Sequence, residues 1–350
     1  MIWKMMKNED IVQESAHDSE SKQEYDSEQV DDDVHSEDKQ DDNQTTSSNT
    51  TSSENCFIGR DKKTIWSKIC LNRAARTRSE NIIRGEFSVV RNRKTAEECF
   101  DIFFDEVIIT SIIRYTNQRL VTIRDLYDDQ HKYTVKVDAA ELRAFLGLLF
   151  LSGVYKRNRL NLEDLWKTNS LGIDIFRRVM SLQRFQLLLR CLRFDNSENR
   201  QIRLQIDKFT HIRALFTKFV ENCQGAYSPT EYVTIGEQLP AFRVRCPFRV
   251  YVPNKLSKYG LKIFALVDAK AYHVVNMEPY AGEQQDGRFK VSYSPFDVLD
   301  RLVAPISQTN RNVTFDNWFT SFPLLTHLLK NHILGVGTIR KIKLSFHLRL

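Results

Sequence analysis

Two strand-like stretches end on carboxylates that could do phosphate chemistry: Asp316 in "NVTFDNW" and Asp268, which closes "LKIFALVD". Hard divalent ions such as Mg²⁺ take oxygen ligands. Carboxylates gathered from neighbouring strands can hold a pair of them, activate a water or hydroxyl, and stabilise an in-line displacement at phosphorus. An isolated strand-end Asp more often forms a turn or caps a helix. A third stretch, "VTIGEQL" (233–239), reads as a strand but carries Gly236 in its middle. Glycine weakens a strand and marks a bulge, a close backbone approach or a lost side chain. Glu237 does not replace a carboxylate at 236, because adjacent strand residues point to opposite faces and a register slip is opposed in a sheet expected to be buried on both sides.

The elements that would position these residues fall into two groups. From 95 to about 225 the apolar residues recur at helical spacing. Thr95 and Glu98 form a capping box ahead of "AEECFDIFFDEVIITSIIRYTNQRL", whose Phe100, Phe103, Phe104, Val107, Ile108, Ser111 and Ile112 share one stripe. The stretch 138–155 is apolar nearly all round and is expected to be the central buried helix. Ser181 caps "LQRFQLLLRCLRF". After Tyr227-Ser228-Pro229 the period shifts toward two, with strands expected at 231–239, 261–269, 271–280, 312–319 and 334–340 and helices between the third, fourth and fifth. Three strands, then helix, strand, helix, strand is the order of an RNase H-like α/β sheet. In such a sheet Gly236 occupies the place of the first-strand carboxylate, and Asp316 that of the fourth strand.

Composition divides the chain further. Residues 1–55 hold 16 Asp/Glu against 4 Lys/Arg and almost no apolar periodicity, so they are expected to be a disordered acidic tail. The whole chain has 51 Lys/Arg and 45 Asp/Glu, which leaves 47 against 29 beyond the tail. That excess suggests a polyanionic partner, with nucleic acid favoured over a membrane because no lipid-facing helix is evident. A basic arm spans 56–94, with eleven cations and three acids between Arg60 and Lys94. Between 231 and 262, Arg243, Arg245, Arg249, Lys255, Lys258 and Lys262 stand against Glu231 and Glu237, interleaved with Phe242, Phe248, Tyr251 and Tyr259. Pro247 and Pro253 keep this stretch loop-like, and Arg243 and Arg245 share a face suited to a row of phosphates. The six cysteines lack zinc spacing and read as reduced structural thiols. No signal core or membrane span is apparent, and an intracellular chain is expected, nuclear or else cytoplasmic.

The strings "FRVRCPFRVYVPNKLSKYGLKIFALVDA" and "FDNWFTS", with "LRAFLGLLFLSGVYK", "FQLLLRCLRFD" and "MEPYAG", resemble the PiggyBac family of transposases over about 95–340. The resemblance implies a helical dimerisation and DNA-binding domain (95–229) and an RNase H-like catalytic domain (230–350), an α+β or α/β architecture. Active members excise DNA at TTAA sites with Mg²⁺ held by three Asp, the first in a T-I-D-E-Q motif. This chain has Thr234-Ile235-Gly236-Glu237-Gln238, so the first ligand is missing, and the second corresponds to Asp316. The third and a cysteine-rich zinc domain lie beyond 350 in the family. The catalytic domain is therefore expected to be C-terminally truncated, by a frameshift or a misplaced gene end at "KIKLSFHLRL". The implied function is a catalytically inactive remnant that needs no cofactor, binds DNA mainly through phosphates and can pair as a homodimer. The alternatives are a domesticated interaction module and a fragment of an active TTAA-specific transposase.

Overall fold

Side-chain caps decide where the first helices begin and end. The computed structural model describes residues 56–58, 65–67, 93–124, 134–155, 161–169, 172–253, 255 and 257–339. The acidic tail, most of the basic arm and the last residues, 340–350, lie outside them. Two short strands, β1 (Cys56–Ile58) and β2 (Ile65–Ser67), pair antiparallel. Helix α1 (Ala96–Phe103) starts on Thr95, whose hydroxyl accepts from Glu98 N while the Glu98 carboxylate accepts from Thr95 N. The long periodic stretch then breaks. Asp105 accepts from Ile108 N at 3.0 Å and starts a second helix, α2 (Glu106–Arg124). The break resets the helical phase, so Val107, expected on the buried stripe, is 59% exposed while Ile108, Ile109 and Ile112 are buried.

Helix α3 (Ala139–Val154) is capped by Asp138 and buries Leu142, Phe145 and Leu148. It departs from the expected all-round burial, because Phe150 and Val154 are 59% and 73% exposed. The neighbours α2 and α5 cover only part of its circumference. The shorter helices are α4 (Asp174–Val179), α5 (Leu182–Cys191), α6 (Arg200–Leu204) and α7 (Arg213–Ala226). Ser181 caps α5 as the sequence indicates. Phe145, Trp166, Phe176 and Phe185 fill the helical core, where Trp166 Nε1 donates to Met180 O at 2.8 Å. Arg184 joins α5 to α3 through a two-bond pair with Glu141 at 2.7 and 2.6 Å.

The sheet contains β3 (Tyr232–Gln238), β6 (Ile263–Asp268), β7 (Val274–Pro279), β8 (Asn312–Phe315) and β9 (Leu334–Gly337) in the order β7-β6-β3-β8-β9. The pairs β3/β6 and β6/β7 are antiparallel, while β3/β8 and β8/β9 are parallel. Parallel neighbours require crossovers, supplied by α8 (Pro295–Val303) and α9 (Phe322–Lys330). Both helices start on a serine cap followed by proline in the first turn. Their buried Val298, Leu302, Leu324 and Leu328 form one core with Val233, Ile235, Leu266 and Val313. Since both crossovers cover that face, Tyr232, Thr234 and Gly236 on the other face of β3 are exposed. The expectation of a sheet buried on both sides is corrected at its central strand.

The inserted 239–262 stretch carries a two-residue hairpin, β4 (Val250–Tyr251) with β5 (Tyr259–Gly260), which the prolines had suggested would remain a loop. Helix α7 lies against β7, where His273 Nε2 is 2.9 Å from Cys223 O. Asp207, held by Arg213 at 2.8 and 2.7 Å, also accepts from Gln284 and so ties the helical segment before α7 to the chain after β7. Cys99, Cys191, Cys223 and Cys246 are free thiols. Among the described residues no helix is long and apolar enough to cross a membrane.

One close contact makes the edge strand testable. A Cβ on Gly337 would sit 2.3 Å from Thr320 Oγ1 and 2.8 Å from the Phe315 ring. Gly337→Ala should therefore cost about 1–3 kcal/mol, read as a lower urea midpoint at unchanged slope.

Candidate functional site at the open face of the sheet

Parallel pairing brings Gly236 and Asp316 to the same end of β3 and β8. In the parallel β3/β8 pair Thr234 stands opposite Thr314, and two residues further on come Gly236 and Asp316, both exposed. None of the usual structural reasons for a strand glycine applies at 236. The β3/β6 register runs unbroken from Val233 to Gln238, so there is no bulge there. Among the described residues the glycines with positive φ are Gly282 and Gly287. A Cβ at 236 would meet nothing within 4 Å. The fold leaves room for a side chain that the sequence does not supply.

Asp316 is exposed and engaged in a turn. Its Oδ1 accepts from Trp318 N at 3.0 Å, and its carbonyl accepts from Thr320 Oγ1 at 2.7 Å, which leads the chain into α9. The hydroxyls of Thr234 and Thr314 both donate to backbone carbonyls across the β3/β8 pair. No group of three or more His, Cys, Asp or Glu able to hold a metal ion is found among the described residues. With Asp316 as the sole carboxylate between β3 and β8 on this face, the donor set does not fit a pair of divalent ions.

Glu237 projects to the opposite face, as alternation requires. Its carboxylate pairs with Lys262 at 2.9 Å and Lys255 at 3.5 Å. Lys262 is 4% exposed, with Nζ 4.9 Å from the Phe264 ring centre and 5.0 Å from that of Trp318. Those two rings stack at 5.6 Å and 6°. The end of β3, the start of β6 and the turn after Asp316 are thus clamped around one ammonium group. Lys262 is removed from the expected row of DNA-facing cations, because burial and its partners hold it inside the protein. Sequence reading missed the clamp because its members are brought together by strand register and by a turn about eighty residues away; the aromatic Trp318 beside Asp316 was the only local signal.

Asp268 lies at the other end of the sheet, fully buried, as the last residue of β6. It accepts from the backbone N–H of Thr230, Lys270 and Ala271. Burial alone would push its carboxyl up, but the hydrogen bonds from Ala271 and Thr230 outweigh this and hold it below the ordinary value. It is a turn-former, not a partner of Asp316.

The other cations lie on the 239–262 insertion, which leaves β3 at the end where Gly236 and Asp316 sit. Arg243, Arg245 and Lys258 are exposed, and Lys255 is exposed while leaning on Glu237. Arg249 is half-buried: its guanidinium lies 4.9 Å from the Tyr259 ring centre and donates to Arg243 O and Val244 O at 3.4 Å, folding the insertion on itself. Arg243 and Arg245 alternate with half-buried Phe242, Val244 and Cys246, consistent with a shared outward face.

Comparison with known proteins adds a lineage to this geometry. The family model described as transposase IS4 matches residues 95–347. The chain belongs to the PiggyBac-type transposase IS4 family. It is 24% identical over 264 residues to human PiggyBac transposable element-derived protein 3, covering 73% of this chain and 41% of that one. It is 26% identical over 257 residues to human PiggyBac transposable element-derived protein 2, covering 70% and 40%. A cryo-EM structure of a piggyBac transposase synaptic complex with hairpin DNA matches with a TM-score of 0.68 and 35% identity, over 74% of this chain and 54% of that one. The PiggyBac-type chain thus spans about two fifths of the length of these human relatives.

Asp268 gives this PiggyBac-type fold an acid-sensitive joint. Its folded pKa lies below the unfolded value of about 3.9, so its contribution is complete above that value and is lost as pH falls through the folded pKa. Asp268→Asn should lower stability at pH 7 by on the order of 2 kcal/mol and flatten the decline below about pH 4, measured by chemical unfolding across pH.

Proposed function

We propose that this chain is a PiggyBac transposable element-derived protein whose RNase H-like sheet has lost phosphoryl-transfer chemistry and keeps DNA binding. The observation that carries the reading is Gly236: it lies on the open face beside Asp316, in space that accepts a side chain and with no backbone demand for glycine. The order β7-β6-β3-β8-β9, with three antiparallel strands followed by two parallel ones, supports the RNase H-like assignment. In active relatives Mg²⁺ stabilises the charge that develops on the phosphate; one carboxylate cannot position two ions for that task. The chain's own contribution is electrostatic. Arg243, Arg245, Lys255 and Lys258 present positive charge at the carboxyl edge of β3, where they can hold a phosphate backbone without reading bases. A nuclear site of action follows from that ligand.

Self-association belongs to the same proposal. The uncovered side of α3, with Phe150, Val154 and Tyr155 exposed, supports a homodimer through the helical half. Sedimentation equilibrium should show a dimer without nucleic acid; a monomer at all concentrations would remove that part.

The test is duplex binding measured against salt. Affinity should fall with a slope of log K against log salt near −3.5, about 0.9 per phosphate for four cations, and Arg243→Gln with Arg245→Gln should reduce it by about 2. Mg²⁺ should produce no nick in TTAA-containing DNA. A salt-independent affinity, or a Mg²⁺-dependent nick, would overturn the proposal.

A further inference from the structure

The β4–β5 hairpin has one face fixed to the protein and one turned outward. Val250 and Gly260 are a cross-strand pair, both buried, and a Cβ on Gly260 would come within 2.5 Å of Pro240 O and 2.7 Å of the Leu239 side chain. Glycine is required there because the hairpin lies directly on the chain leaving β3. The next pair, Tyr251 and Tyr259, must point the other way. The two rings lie 4.8 Å apart at 43° and are 50% and 41% exposed. Two adjacent tyrosines left this open expose apolar ring surface that the fold could have covered.

Their surroundings are cationic. Arg249 lies against the Tyr259 ring, and exposed Arg243, Arg245, Lys255 and Lys258 flank the hairpin, with Glu237 already paired to Lys262 and Lys255. An aromatic platform beside cations matches a nucleobase next to its phosphate: the π-face stacks while the charges hold the backbone. Bases inside a duplex keep their faces covered by their neighbours, so only an unpaired base can use such a platform.

We infer that Tyr251 and Tyr259 form a stacking platform for an unpaired nucleobase, so that the chain binds DNA with an unpaired segment more tightly than intact duplex. This rests on the DNA-binding reading above and adds which DNA is preferred. The purified full-length chain would be titrated by fluorescence anisotropy with three labelled 30-mers of related sequence: intact duplex, duplex with a central unpaired bulge, and single strand. The bulged duplex should bind on the order of tenfold more tightly than intact duplex. Tyr251→Ala with Tyr259→Ala should abolish that difference and leave intact-duplex affinity and its salt slope unchanged. Tyr251→Phe with Tyr259→Phe keeps the rings and should retain the preference, which separates stacking from hydroxyl contacts and from loss of folding. Equal binding to intact and bulged duplex, or a preference that survives the double alanine change, would overturn the platform while leaving phosphate binding intact. Absence of binding to all three DNAs would overturn the DNA-binding reading itself.

Discussion

The pleat of β3 is the constraint on which the rest of this structure depends. The strand is paired on both sides, to β6 in antiparallel fashion and to β8 in parallel, so its register is fixed twice. Val233 and Ile235 point into the core under α8 and α9, which commits Thr234 and Gly236 to the open face. A shift of one residue would expose the core pair, turn Thr234 and Gly236 inward and carry Glu237 away from its lysines. Which residue falls on an outward position therefore decides what chemistry the open face can offer.

The same alternation separates the acids that the sequence sets close together. Glu237 adjoins Gly236 in the chain but belongs to the opposite surface, where Lys262, Phe264 and Trp318 turn it into a clamp on the carboxyl edge. Asp316 is about eighty residues away in sequence and yet is brought to the Gly236 end of β3 by the parallel pairing of β3 and β8. The clamp and the open face are two sides of one strand end. The outward positions of β3 are therefore free to vary without cost to the scaffold: the interactions that hold the edge together use none of them.

Much of this was legible in the sequence. The five strands of the main sheet were readable from period-two patterns and their place in the chain, and Thr95 with Glu98 and Ser181 from local capping rules. The split at Asp105 was less visible because the apolar spacing runs through it; a carboxylate bonding Ile108 N outweighs continuity of the stripe. Burial of Lys262 could not be read from charge, since a lysine's environment depends on partners joined by tertiary contact. The open outer face of β3 was missed for a related reason: an α/β order of strands and helices suggests cover on both sides, and only the placement of both crossover helices on one face shows otherwise. The sequence shows Tyr251 and Tyr259 only as aromatics interleaved with cations, because the cross-strand register that sets them side by side exists only in the folded hairpin.

The most direct measurement of whether Gly236 is a vacated ligand position is the thermal unfolding of Gly236→Asp with and without 10 mM Mn²⁺, beside the parent chain and Gly236→Asp combined with Asp316→Asn. Open space at the Cβ predicts that Gly236→Asp folds as the parent does. A carboxylate there, beside Asp316, predicts a Tm that rises with Mn²⁺ in the single variant alone, because an ion bound only by the folded state stabilises it. A variant that does not fold, or a Mn²⁺ response equal in all three proteins, would contradict the account.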